Sequence, residues 1–119
     1  MSKVYIVSAK RTPMGSFGGS LKSFSAVQLG KVAIEAAINT AGISPDHVDE
    51  VFMGNVCQAN LGQAPARQAA ITAGIPDKVP ATTINKVCAS GMKSVMFGAS
   101  FLKNSFIDLL ISYTKSTRS

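Results

Sequence analysis

Tryptophan is absent from this chain of 119 residues, histidine occurs once, cysteine twice, and only six residues are acidic. No apolar run approaches the roughly 20 residues that a membrane-spanning helix requires. The opening Met1-Ser2-Lys3-Val4 lacks the charged and apolar regions of a secretory leader, so the reading is a soluble, intracellular chain. Two cysteines are too few for a disulfide framework, and no Cys/His spacing fits a zinc site. At 46% hydrophobic and 15% charged, the composition excludes a disordered chain, a collagen and a coiled coil.

Acidic residues being scarce, the net charge is +6. The basic side chains are scattered from Lys3 to Arg118 with no clustered, aromatic-interleaved stripe, which argues against nucleic acid as a partner. Such a diffuse positive field suits a small anionic molecule, for example a coenzyme A ester.

What is present alternates between strand-like and helix-like patterns. Residues 3–8 (Lys-Val-Tyr-Ile-Val-Ser) are β-branched and aromatic, apolar on both faces, and predict a first, doubly covered strand. A loop rich in glycine follows, through Pro13 and Gly15 to Gly19. Val27, Gly30, Ile34, Ala37, Ile38 and Ala41 recur at helical spacing and predict a helix over 26–41, with Gly42 just past its end. Ser44-Pro45-Asp46 predicts a short helical turn and 51–56 a second strand.

Residues 64–73 predict a short helix, 80–87 an extended segment, and 88–104 a helix whose buried face carries Met92, Val95, Met96, Ala99 and Leu102. A last strand is predicted over 106–113, ahead of a polar, patternless tail. The order β-α-β-α-β-α-β predicts an α/β fold, a mixed sheet with helices on both faces.

The glycine-rich loop is not a phosphate cradle, because Leu21 rather than glycine precedes Lys22-Ser23 and no G-x-G-x-x-G spacing occurs. Cys88 is the best chemical candidate. It ends an extended segment and begins a helix, where unpaired N–H groups and the positive end of the helix dipole favour a thiolate. Small neighbours (Ala89, Ser90, Gly91) leave room for an acyl group, and a backbone N–H of the turn is placed to serve an oxyanion. From spacing alone, a buried helix-start thiol fits equally well. Cys57 reads as structural, His47 as a solvated turn residue rather than the base for Cys88, and Arg67 as a helix-surface side chain.

Asn85-Lys86-Val87-Cys88-Ala89-Ser90-Gly91-Met92-Lys93 resembles the nucleophile segment of the thiolase family, in its acetyl-CoA acetyltransferase branch. Val4 to Gly15 resembles that family's opening strand and loop. Val51-Phe52-Met53-Gly54-Asn55-Val56 followed by 62–69 resembles its second strand and helix. The resemblance runs over residues 3–111, in register. It implies the N-terminal half of a two-half fold, incomplete over 1–111, with a divergent tail at 112–119.

The resemblance also implies that Cys88 takes an acetyl group from acetyl-CoA and passes it to a second acetyl-CoA, giving acetoacetyl-CoA, or runs in reverse as thiolysis. No resident cofactor or metal is implied, since coenzyme A enters as a thioester substrate. Neither a membrane nor a nucleic acid is an expected partner, and the full-length enzyme would be a homo-oligomer. The expected compartment is the cytoplasm, with the mitochondrion as alternative. The family's Gly-His-Pro and Cys-x-Gly-Gly segments are absent from these residues, as is its coenzyme A loop domain. The alternative expectation is therefore a truncated, non-catalytic half that binds a full-length partner or is unstable.

Overall fold

A computed structural model describes residues 3–104 and 108–114. Helix α1 (Ala26–Ala41) is followed by a 3₁₀ turn (Pro45–His47), β1 (Glu50–Gly54), α2 (Pro65–Thr72), β2 (Ala81–Ile84), α3 (Ser90–Asn104) and β3 (Leu110–Thr114). The strands form one sheet in the order β2-β1-β3, parallel throughout. Each connection crosses over through a helix, as parallel strands require.

Both ends of α1 are determined locally. The Ser25 hydroxyl accepts from the Gln28 N–H at 3.1 Å, while the Gln28 side chain accepts from the Ser25 N–H at 2.8 Å. These two bonds satisfy donors that a helix N-terminus leaves orphaned. Gly42 closes the helix at φ 68°, a conformation that costs glycine almost nothing. At the other end of the following loop, Asp49 carries the start of β3: its carboxylate accepts from the Asp108 and Leu109 N–H groups at 3.0 and 3.1 Å.

Side chains of β1 alternate between the two faces of the sheet. Val51 and Met53 enter a core with Ile34 and Ile38 of α1 and the alanines of α2 (Ala66, Ala69, Ala70). Phe52 points to the opposite face, against Phe97 and Phe101 of α3, with ring centroids 6.0 and 5.2 Å away. Helices thus cover both faces, and β1 is buried from Val51 to Gly54.

The α/β class, the helix positions and the later strands agree with the pattern in the sequence, and three details differ. The sheet is wholly parallel rather than mixed. Residues 3–8 are extended but unpaired, with Tyr5, Ile6 and Val7 between 66% and 80% exposed. Strand propensity cannot substitute for a hydrogen-bonding partner, and residues 3–8 join neither outer strand of the sheet, β2 or β3. Those residues stand off α1 and α3 across an open groove of about 1960 Å³.

The third difference is the buried face of α3, which is Ser90, Ser94 and Gly98, spaced four apart. Met92, Val95 and Met96 are exposed. The helix start crosses β1 closely at Gly54, where small residues line the contact, while Phe97 and Phe101 pack on Phe52 and Met92, Val95 and Met96 turn outward. The last strand, expected over 106–113, is Leu110–Thr114, and residues 105–107 and 115–119 lie outside those described.

Glu50, at the entry of β1, has its carboxyl raised above the ordinary 4.5 by partial burial. The folded state therefore holds that proton more tightly than the unfolded chain, and stability falls as pH rises from about 4.5 through the folded value. Glu50→Gln removes the titration. Its urea midpoint should exceed the parent's at neutral pH, and the gap should close at about pH 3.5 where both are uncharged. The effect is small, because much of the carboxylate stays solvated.

Candidate functional site

Parallel α/β sheets place their sites at the C-terminal ends of the strands. Here β2 ends at Ile84 and the chain turns through 85–89 into α3, presenting Cys88 at that end, two residues ahead of the helix. Cys88 is a free, exposed thiol. The buried helix-start reading is therefore set aside by the structure.

The turn is an elbow with a strained residue at its bend. Val87 has φ 46°, a left-handed conformation that a β-branched residue adopts only at a cost of order 1–3 kcal/mol. The Asn85 side-chain oxygen accepts from the Val87 N–H at 3.0 Å, an Asx turn. The Ala89 and Ser90 N–H groups donate back to the Lys86 and Val87 carbonyls at 3.0 and 3.1 Å. The Ser90 hydroxyl accepts from the Lys86 N–H at 2.8 Å and donates to the Val87 carbonyl at 2.7 Å.

Among the described residues, the N–H groups of Cys88, Gly91 and Met92 meet no acceptor. These are donors of a helix start, which bind developing negative charge. A second strand holds the elbow from beneath. The Asn55 N–H donates to the Ile84 carbonyl at 2.9 Å, and Gly54 lies under the first turn of α3. A Cβ at Gly54 would stand 2.7 Å from the Ser90 carbonyl carbon and 2.9 Å from the Gly91 nitrogen.

Of the remaining candidates, His47 is not brought to this point, while Cys57 leaves the same end of the sheet on the loop after β1. His47 lies in the turn before β1, at the opposite end of the sheet, separated from the elbow by the strand length of about 13 Å. Cys57 follows β1 and is exposed, which removes the expectation of a structural core thiol. Arg67 uses a guanidinium N–H on the Asp77 carbonyl at 3.1 Å. What the sequence did not single out are Gly54, Asn85 and the hydroxyl of Ser90. Only Asn85 carries a local signal, an Asx residue two positions ahead of the amide it caps.

Comparison with known proteins bears on this arrangement. The family description "Thiolase, N-terminal domain" matches residues 4–113. Acetyl-CoA acetyltransferase of Schizosaccharomyces pombe is 54% identical over 111 residues, covering 93% of this chain and 28% of the relative. The cytosolic acetyl-CoA acetyltransferase of Gibberella zeae is 56% identical over 109 residues (92% and 28%), and the mitochondrial one of Danio rerio 54% over 112 (94% and 27%). In structure, the Acat5 thiolase of Ascaris suum in complex with coenzyme A superimposes with a TM-score of 0.82 at 44% identity. It matches 83% of this chain, which covers 26% of that one. The chain thus spans between a quarter and three tenths of the length of these relatives.

Proposed function

The chain belongs to the thiolase family, and on that premise we propose that Cys88 is the acyl-accepting nucleophile of an acetyl-CoA C-acetyltransferase, carried on the family's N-terminal domain. The observation that supports this most is the placement of Cys88. It is exposed on a strained elbow, at the start of α3 and at the C-terminal end of a parallel sheet, within the segment Asn85 to Lys93.

In the first step the Cys88 Sγ, as thiolate, attacks the carbonyl carbon of acetyl-CoA. The bond between that carbon and the coenzyme A sulfur breaks, coenzyme A leaves as thiolate and takes a proton from solvent, and acetyl remains on Cys88. The unpaired N–H groups at the elbow face the oxygen that becomes negative in the tetrahedral intermediate. In the second step the α-carbon of another acetyl-CoA loses a proton and attacks the acetyl carbonyl. This forms the new C–C bond of acetoacetyl-CoA and releases the Cys88 thiolate.

That second step needs a base near the α-carbon. His47, the single histidine of these residues, is at the far end of the sheet. The expected result for the 119-residue chain is therefore stoichiometric chemistry: up to one equivalent of coenzyme A released from acetyl-CoA, with no steady-state thiolysis of acetoacetyl-CoA. A thiol-release assay and an absorbance assay check the two halves. Sustained thiolysis would overturn the assignment of the base to residues outside these 119. Coenzyme A is substrate rather than resident cofactor, and the relatives' names divide between cytosol and mitochondrion, with either of which the reading agrees.

A second reading is favoured by the exposed apolar side chains of Met92, Met96, Met14 and Phe17. A domain that shows this much apolar surface is poised to pair with a full-length thiolase, and no turnover of its own is then required. Co-purification with a full-length acetyl-CoA acetyltransferase, with no coenzyme A release by the chain alone, would favour this reading over the first.

A further inference from the structure

We propose that Ser90 is a positioning residue for Cys88, its hydroxyl fixing the direction in which the nucleophile leaves the backbone. This rests on Cys88 being the nucleophile. Ser90 is 2% exposed, and its Oγ joins two groups that precede Cys88: it accepts from the Lys86 N–H at 2.8 Å and donates to the Val87 carbonyl at 2.7 Å. The same carbonyl also receives the Ser90 N–H at 3.1 Å. Cys88 is thus enclosed in a short backbone loop closed by one side chain.

That closure has a task that helix formation does not set. A serine in the first turn of a helix usually satisfies a neighbouring helical amide. Here the acceptor lone pair is used on a residue four positions back, outside the helix, and the bond spans the strained Val87. If the hydroxyl is removed, the Lys86 N–H loses its part-buried partner, and one of the two bonds holding the Val87 carbonyl disappears. Val87 is then free to relax toward ordinary φ, which swings the Cα–Cβ bond of Cys88 away from the unpaired amides. Alanine is a better helix former than serine, so α3 itself is not weakened by the exchange.

The test is alkylation of the protein with iodoacetamide, resolved site by site by peptide mass spectrometry. The thiolate sulfur displaces iodide from the reagent's carbon and the thiol proton goes to buffer. Cys57, also exposed but on the loop after β1, is the internal reference. In the parent, Cys88 reacts faster than Cys57. In Ser90→Ala the Cys88 rate falls by about tenfold or more while the Cys57 rate holds, since the sulfur then leaves the unpaired N–H groups that favour its negative charge. In Ser90→Thr, which keeps the hydroxyl, the Cys88 rate stays within about threefold of the parent.

A Cys88 rate unchanged in Ser90→Ala overturns the positioning role and leaves the nucleophile reading standing. A parent Cys88 no faster than Cys57 means that the elbow does not activate the thiol and overturns this inference, while acetyl uptake from acetyl-CoA decides the nucleophile reading separately. If Ser90→Ala also slows Cys57, the fold has changed and Ser90→Thr decides: a preserved Cys88 rate supports the role, and a loss as large as alanine's overturns it.

Discussion

Cys88→Ala is expected to abolish acetyl uptake from acetyl-CoA and coenzyme A release, and Cys57→Ala to leave both within about twofold of the parent. Removing the nucleophile of a covalent mechanism takes away the whole first step. Both cysteines are free and exposed, so accessibility alone would make them equally reactive. They differ in backbone setting: Cys88 heads α3 beside unpaired N–H groups, and Cys57 lies in a loop past β1. Comparing the two variants by free-thiol release therefore separates a built site from generic thiol chemistry. A similar loss in both variants would mean that the elbow confers nothing.

Gly54→Ala is the second large effect, and it involves stability and site together. The added Cβ meets the Ser90 carbonyl carbon at 2.7 Å, the Gly91 nitrogen at 2.9 Å and the Ser90 oxygen at 2.9 Å. All three are backbone atoms of the first turn of α3, so no flexible side chain can move aside. Relief requires α3 to lift from β1, against the packing of Phe97 and Phe101 on Phe52. Overpacking of this kind costs about 1–3 kcal/mol, and the shifted helix start carries Cys88 with it. Gly42→Ala is the matched control, since a Cβ there meets nothing within 4 Å and only its φ of 68° is disfavoured. Chemical denaturation should show a lower midpoint for Gly54→Ala than for Gly42→Ala, and Cys88 alkylation should slow only in the former. Equal midpoints with unchanged Cys88 reactivity would contradict the close approach of α3 to β1.

Much of this architecture is readable along the chain, and the exceptions share a cause. The spacing of Gly30, Ile34 and Ile38 marks α1 because a helix face recurs every 3.6 residues whatever it packs against, and Gly42 marks its end for a local steric reason. Cys88 stands out from its small neighbours and its place between an extended segment and a helical one. Residues 3–8 mislead because a strand is completed by its partner, and these residues pair with neither outer strand of the sheet. The face of α3 misleads for a similar reason. Hydrophobic periodicity assumes that apolar side chains face the core, but the fully buried positions of α3 are Ser90, Ser94 and Gly98, with Phe97 and Phe101 packed beside them on Phe52. The left-handed Val87 and the tie made by Ser90 have no sequence signature, since both arise when β2, the elbow and α3 are joined at once.

The central claim is that Cys88 is the residue that accepts acetyl, and the most direct measurement is peptide-resolved mass spectrometry of the protein after incubation with acetyl-CoA. The account predicts a thioester-linked acetyl group on the peptide containing Cys88, removed by added coenzyme A. An acetyl group on Cys57 in preference to Cys88, or none on either, would contradict it.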